Sequence, residues 1–306
     1  GQLPAGKVVG IVIAAAASIA LGWWLARRAG PLVALAAGGT IVLAIAMTKA
    51  PYIQADLLSY FALLAATVTA SHLIRRPGLR TGIAAGIAVG LLQLTKANAL
   101  PIVVTASATV LLATVLPRRI SGVGAAWRRR AIPALGVAAV VAASFLAPYA
   151  TNSHRQFGSY SYNANSTFYV WYDSWPEALA GTWSHGDTYQ YPDLPADQIP
   201  SLRWYLRDHD AGDIVARTVD GARLQQRQLW SFTSFSTPLA LLLVGAVAVA
   251  GTTADLRRRL RAHWPVLAFA ATTVLAYAFV AAWWVPIAAG PRFALVPVLP
   301  MVCGAA

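Results

Sequence analysis

The chain has 306 residues, of which 58% are hydrophobic and 11% charged, with a formal net charge of +13. Soluble domains carry about 25% charged residues, so most of this chain has too little polar surface to face water, and an ordinary soluble enzyme or binding module is excluded. The basic excess forms no continuous nucleic-acid-binding face. It comes in short blocks between apolar stretches: Arg27 and Arg28; Arg75, Arg76 and Arg80; Arg118, Arg119 and Arg128 to Arg130; Arg257 to Arg259 and Arg261.

Taken in chain order, apolar runs fall at residues 8–25, 31–47, 57–73, 81–94, 99–115, 131–149, 238–252, 264–283 and 293–306. A membrane-spanning helix needs roughly 20 apolar residues, within a range of about 17 to 25. Several runs are short and that at 81–94 is marginal, so it and 99–115 are expected as two short helices or a re-entrant pair. The expected fold is an all-α polytopic membrane bundle. About six spans lie within residues 1–149, an extracytoplasmic loop with surface helices occupies 150–234, and about three spans fill 235–306. The chain begins at Gly1 without Met and ends in an apolar run at Ala306, so both ends are expected to be cut and the last span truncated.

Charge orients this topology. If the Arg27 block is cytoplasmic and sides alternate at each span, the other three arginine blocks also fall in the cytoplasm, as the positive-inside rule requires. Fourteen of the 24 basic residues then lie inside, accompanied by one acid, Asp255. Nine of the 11 acids lie between Thr151 and Phe232, on the outer side. The three lysines, Lys7, Lys49 and Lys96, all map to the outer membrane face.

The segment from Thr151 to Phe232 is rich in Tyr, Trp, Ser, Asn and Asp. Residues 157–163 look irregular or strand-like. From Ser201 to Trp230 the pattern is helical, with Pro200 at its start and Gly212 and Gly221 as interruptions. The spacing of Ile214, Val215, Val219 and Leu224 suits a helix lying on the membrane surface.

Ionisable groups at membrane boundaries are costly and mark candidate sites. Lys96 divides two short apolar runs, and its ammonium is a compact point charge for a phosphate; a snorkelling lysine in a tight turn is the alternative. Arg292 precedes the last run with a rigid fork of donors for phosphate oxygens. Lys49 lies in a short outer loop that ends at Asp56, where a helix cap and a functional acid are both compatible with the position. In the long loop, His154 and Arg155 closely follow the sixth run, and His154 has the titration range of an acid or base. Asn165-Ser166-Thr167 fits a glycosylation acceptor, a pattern that arises readily by chance. The single cysteine, Cys303, builds neither a disulfide framework nor a Cys/His metal site. No Gly-rich phosphate loop, HExxH or GxSxG motif is present.

Three stretches resemble the polyprenyl-phosphate-sugar-dependent glycosyltransferases of the GT-C fold, in particular the bacterial protein-mannosyltransferase-like group. Ala88-Val-Gly-Leu-Leu-Gln-Leu-Thr-Lys96 resembles that group's helix ending in Leu-Thr-Lys. Asn152-Ser-His-Arg-Gln-Phe-Gly158, continuing through Asn163 to Trp171 and then Pro200 to Trp230, is similar to its outer loop. Pro291-Arg-Phe-Ala-Leu-Val-Pro-Val-Leu-Pro300 resembles its Arg-Tyr-x-Leu-Pro helix, and Gln54-Ala-Asp56-Leu-Leu its acid-opened helix. Tyr172-Asp173 stands where that group commonly has Gly-Asn, and His154-Arg155-Gln156 replaces its Arg-Asn start.

The resemblance implies transfer of a sugar from a polyprenyl-phosphate carrier to an acceptor glycan, lipid or protein at the outer face of a bacterial cytoplasmic membrane. It implies a catalytic acid in the first outer loop, expected before Gly1, which leaves Asp56 as the weaker candidate within the chain and the fragment itself inactive. Lys96, Arg292 and Lys49 would hold the donor phosphate. His154, Arg155, Asn163, Trp171 and Tyr172 would face the acceptor or sugar, Trp171 and Tyr172 as stacking surfaces. The lipid-linked sugar is the donor substrate, no cofactor is assigned, and dependence on a divalent metal is left open. The expected partners are the bilayer, the lipid-linked sugar and the acceptor, with no nucleic acid. Two other readings remain: a transporter or flippase for lipid-linked sugars, and a non-catalytic homologue acting in envelope assembly.

Overall fold

The computed structural model describes residues 2–35, 56–117, 121–162, 167–187, 191–232 and 263–287. Every regular element among them is helical. The expected runs at 238–252 and 293–306, and most of that at 31–47, lie outside the described residues. The longer helices are α1 (Gln2–Ala29), α2 (Asp56–Arg75), α3 (Leu79–Thr95), α4 (Leu100–Val115) and α5 (Ala125–Phe157), then α6 (Leu202–Asp208), α7 (Ala211–Phe232) and α8 (Trp264–Trp284). Three segments are long and apolar enough to cross a membrane: Leu58–Arg75, Ala125–Phe157 and Trp264–Trp284. Leu79–Thr95 and Leu100–Val115 are shorter apolar helices, as is Val8–Trp24 within α1. The chain is thus consistent with an α-helical membrane protein.

It divides into two compact units. The first comprises Gly1–Phe145, Pro238–Ala276 and Leu295–Ala306; the second comprises Leu146–Thr237 and Tyr277–Ala294. Hydropathy assigns residues 264–283 wholly to the spans, whereas packing divides α8 between the units.

In the first unit, α3 turns its small residues inward and most of its large ones outward. Helix α3 carries Gly82, Gly86 and Gly90 at every fourth position, all on its buried face. A Cβ on Gly82 would lie 2.6 Å from the Ala134 carbonyl oxygen of α5, and one on Gly86 2.6 Å from that of Ala138. At Gly90 the same atom would meet the Phe145 side chain at 2.8 Å. Such a stripe lets two helix backbones approach closely, the usual basis of helix association in lipid. The opposite face of α3 exposes Ile83, Ile87, Leu91 and Leu94. Helix α4 buries Thr105, Ala106, Thr109 and Ala113 together with Ile102 and Val110, and exposes Leu100, Val104, Leu111, Leu112 and Val115. The buried hydroxyls of Thr105 and Thr273 share a hydrogen bond of 2.8 Å between α4 and α8.

Long side chains close the helix ends at the arginine-rich loops. Arg128 donates to the carbonyls of Thr114 (2.6 Å) and Leu116, and to the Ser121 hydroxyl (2.8 Å), closing the end of α4. The Trp127 indole donates to the Ile74 carbonyl at 2.7 Å, near the end of α2. The Trp264 indole donates to the Ser121 carbonyl, also at 2.7 Å. The last carbonyls of a helix have no intrahelical donor, and these side chains supply some of the missing ones.

The second unit is built around aromatic rings. Tyr169, Tyr172, Ala178 and Ile287 form its core, with Trp204 and Trp284 packed against them. Helix α5 ends at Gly158, whose φ of 70° permits a left-handed cap. Residues 160–161 form a turn and no strand occurs among the described residues of the segment expected to be strand-like. The physical reason is that α5 continues to Phe157 and then reverses. Ser153 donates to the Ser159 carbonyl (2.6 Å) and accepts from the Tyr162 amide (3.0 Å), while Tyr149 donates to the Tyr162 carbonyl.

Pro200 precedes a helix as expected, with Ser201 as the N-cap accepting from the Trp204 amide at 3.2 Å. Asp210 and Asp213 cap α7 reciprocally, each carboxylate accepting the other's amide at 2.9–3.0 Å. The two glycines of α7 are not interruptions. Gly221 is buried within the helix because a Cβ there would overlap the Ala282 carbonyl of α8. The inward face of α7 carries Arg217, Gly221 and Gln225, whereas Val215 and Val219 are exposed.

Candidate functional site

The densest polar arrangement among the described residues lies in the second unit and centres on Asp173. Three elements meet there. The short helical turn Tyr169–Trp171 delivers Asp173, α6 delivers Tyr205 with His209 just past its end, and α7 delivers Arg217. Arg217 Nη1 donates to Asp173 Oδ1 at 2.8 Å, and the Tyr205 hydroxyl donates to the same oxygen at 3.1 Å. His209 Nε2 lies 2.7 Å from Asp173 Oδ2, and His209 Nδ1 lies 2.9 Å from the Tyr205 carbonyl. The Asp173 amide in turn donates to Glu177 at 3.1 Å.

Arg217 holds the arrangement together. Its side chain is 6% exposed, and it also donates to the Tyr172 carbonyl at 2.6 Å and the Val170 carbonyl at 3.4 Å. The guanidinium carbon lies 4.0 Å from the centre of the Trp283 ring and 5.1 Å from that of Tyr205. Planar guanidinium suits such a slot, because it stacks on aromatic faces while its edge donates. Trp283 returns an indole hydrogen bond of 2.8 Å to the Val170 carbonyl.

Both His209 nitrogens face acceptors, a carboxylate and a carbonyl. A neutral imidazole has only one N–H to give, so the imidazolium alone satisfies both. Burial pulls the His209 pKa down, but the Tyr205 carbonyl and the Asp173 carboxylate outweigh it, and the net shift is upward. The ring also stacks on Tyr205 at 3.9 Å. For Tyr205 itself, burial lifts the phenol pKa, against the opposing pull of Arg217. The Asp173 side chain remains 40% exposed. Each carboxylate oxygen has two acceptor positions, so Oδ2, with a single partner, is able to take one further hydrogen bond from a solute hydroxyl.

Beside this carboxylate in the sequence is a cluster of three rings. Trp175 and Trp183 meet edge to face at 5.5 Å, and Tyr169 lies 5.8 Å and 6.2 Å from them. Both tryptophans are 39% exposed. Behind them Tyr169 donates at 2.7 Å to Asp187, which is 1% exposed and whose other oxygen has no partner among the described residues. Burial raises the Tyr169 pKa first of all, and the hydrogen bond to Asp187 adds to it.

The residues singled out from sequence are distributed differently. Tyr172 is 8% exposed, packs near Trp204 and accepts the Thr182 amide at 3.1 Å, so its ring belongs to the core and offers no open stacking face. Trp171 is half-buried with its ring 6.3 Å from Tyr205. His154 and Arg155 are exposed, and His154 stacks on Tyr160 at 4.2 Å. Lys96, in the other unit, is half-buried in the break between α3 and α4; its extended backbone ends α3, and its amide donates to the Leu92 carbonyl at 3.0 Å. Asp56 is the first residue of α2, and its side chain lies outside the description. Lys49, Asn163 and Arg292 also lie outside the described residues. No group of three His, Cys, Asp or Glu side chains among the described residues is placed to hold a metal ion.

Sequence reasoning missed Asp173, His209 and Arg217. The signal was the position of Arg217 three residues after Ile214 and four before Gly221, which puts a cation and a glycine on the inward face of one helix.

No curated protein and no solved structure matches the chain. Residues 7–194, more than half of it, match a sequence family described as a domain of unknown function, and the chain belongs to that family, DUF6311.

Proposed function

We propose that the protein is a polytopic membrane glycosyltransferase of GT-C type, taking a sugar from a polyprenyl-phosphate carrier. In this reading the aromatic unit receives the saccharide. The observation that carries it is the pairing, within one unit, of exposed tryptophan faces with a fixed, half-exposed carboxylate. Sugars offer apolar C–H faces that stack on aromatic rings and hydroxyls that need oriented acceptors, and Trp175, Trp183 and Asp173 supply both. Lys96 and Arg292 would neutralise the carrier phosphate as it leaves.

The test is turnover by the full-length protein in nanodiscs with a labelled polyprenyl-phosphate sugar. Carrier release is expected to fall sharply in Lys96→Ala and Arg292→Ala with folding intact, and saccharide binding to weaken in Trp175→Ala and Trp183→Ala. A wild type that binds the lipid without cleaving it would remove the transferase reading. One observation favours a second reading, a non-catalytic saccharide-binding subunit of envelope assembly. Asp173 is already held by three donors, and such a group orients a hydroxyl more readily than it takes a proton from one.

A further inference from the structure

Independently of that reading, we infer that the first unit carries a phosphate-binding pocket at its arginine-rich end. A cavity of about 590 Å³ opens there among the end of α2, the 122–124 linker, and the starts of α5 and α8. Among the described residues its polar lining is basic or neutral: His72, Arg75 and Arg76 from α2, the Trp127 edge, and His263. Among the described residues no carboxylate lines it, and neither arginine enters an ion pair. Ile74, Val123, Pro265 and Val266 complete an apolar wall.

The end of a helix is ordinarily a poor neighbour for an anion, because its unpaired carbonyls carry partial negative charge. Here three carbonyls at that end are occupied. The Arg76 amide donates to His72, the Trp127 indole to Ile74, and the Thr81 hydroxyl to Arg76. The guanidinium groups of Arg75 and Arg76 are therefore not spent on capping their own helix. The opposite wall brings the starts of α5 and α8, whose dipoles favour negative charge; the Val266, Leu267 and Arg128 amides are already spent on the His263 and Gly124 carbonyls. Two forks of donors, two helix starts and an apolar wall fit a phosphate ester with a carbon chain attached. An anionic lipid head group and a soluble phosphate ester share that chemistry. On the charge-based topology the pocket opens to the cytoplasmic leaflet, where basic pockets between helices take anionic head groups.

The test uses the full-length protein in nanodiscs of phosphatidylcholine alone, or of phosphatidylcholine with phosphatidylglycerol. Retained lipid is read by native mass spectrometry and the unfolding midpoint by intrinsic fluorescence. Wild type is expected to retain phosphatidylglycerol and unfold at a higher temperature in its presence. The double variant Arg75→Gln/Arg76→Gln should lose at least about tenfold in affinity, with an unchanged midpoint in phosphatidylcholine alone. Arg27→Gln/Arg80→Gln removes the same charge away from the cavity and should retain binding. Equal losses in the two double variants, or equal retention of phosphatidylcholine by wild type, would overturn the pocket. If glycerol 3-phosphate added to phosphatidylcholine discs protects through Arg75 and Arg76 as well as the lipid does, the site stands and its ligand is soluble.

Discussion

The two units solve opposite packing problems. In the first, glycines, alanines and threonines share the interior with aliphatic side chains such as Leu63, Ile74, Leu92 and Ile102, while many other leucines, isoleucines and valines face outward. In the second, tyrosines and tryptophans fill the interior, and a guanidinium sits buried among them. Apolar surface gains nothing by leaving a hydrocarbon solvent, so the first unit depends on close backbone approach and shared hydroxyls. The second resembles an ordinary water-facing core, where large rings are driven inward and every buried polar group needs a partner.

The sharpest way to break this contrast is to fill the glycine stripe. Gly86→Val puts side-chain atoms into the Ala138 carbonyl and Val141, and should cost at least about 3 kcal/mol. Ile87→Ala, one position along on the exposed face, should have almost no effect, because lipid replaces the lost contacts. Detergent-resistant folded yield of the two variants is the measurement, and equal losses would mean that packing is not inverted.

In the second unit the largest effect belongs to Arg217. Arg217→Met keeps the bulk between Trp283 and Tyr205 but removes the donors to Asp173 and the Tyr172 carbonyl. A loss of about 2–3 kcal/mol is expected in urea unfolding, less than for a wholly buried pair because Asp173 reaches water. Arg217→Lys should recover only part of it, since an ammonium cannot span both acceptors in one plane.

A smaller effect comes from pH. The folded-state pKa of His209 is raised above its ordinary value, so its contribution is complete below that value and is lost as pH rises through the folded one. Amide exchange in Tyr205–Arg217 should accelerate as pH rises above the ordinary histidine value of 6.5, beyond its intrinsic dependence, and His209→Gln should abolish the excess. The smallest expected change is Ser201→Ala, which removes the cap of α6 and should cost about 1 kcal/mol in the same unfolding assay.

Length and apolarity made the first unit legible, since a run of 17 or more apolar residues marks a helix whatever its neighbours do. Sequence reasoning missed the pattern Gly82-x-x-x-Gly86-x-x-x-Gly90, and coordinates were needed to show both the stripe and its partner α5. The site was less legible. Asp173 lies 36 residues from His209 and 44 from Arg217, and one sequence carries no record of which distant side chains meet. Tyr172 illustrates the limit: an aromatic residue in a polar loop is equally compatible with a sugar platform and with a small core. Val215 and Val219 point outward for a related reason, because Arg217 and Gly221 claim the inward face of α7.

The glycine stripe also bears on how the protein is made. Helix α3 has 17 residues, about 25 Å at 1.5 Å per residue, short of a hydrocarbon core of about 30 Å. Three of those residues are glycines that add no apolar surface, so α3 leaves the ribosome as a weak insertion signal. Its partner surface on α5 is synthesised some fifty residues later, a delay of several seconds at about 5–20 residues per second. Until then α3 settles against α2, the element that packs most extensively on it, and α5 closes over the stripe only afterwards. Substitutions in the stripe would therefore spare the pairing of α2 with α3 and register at the later step, the docking of α5.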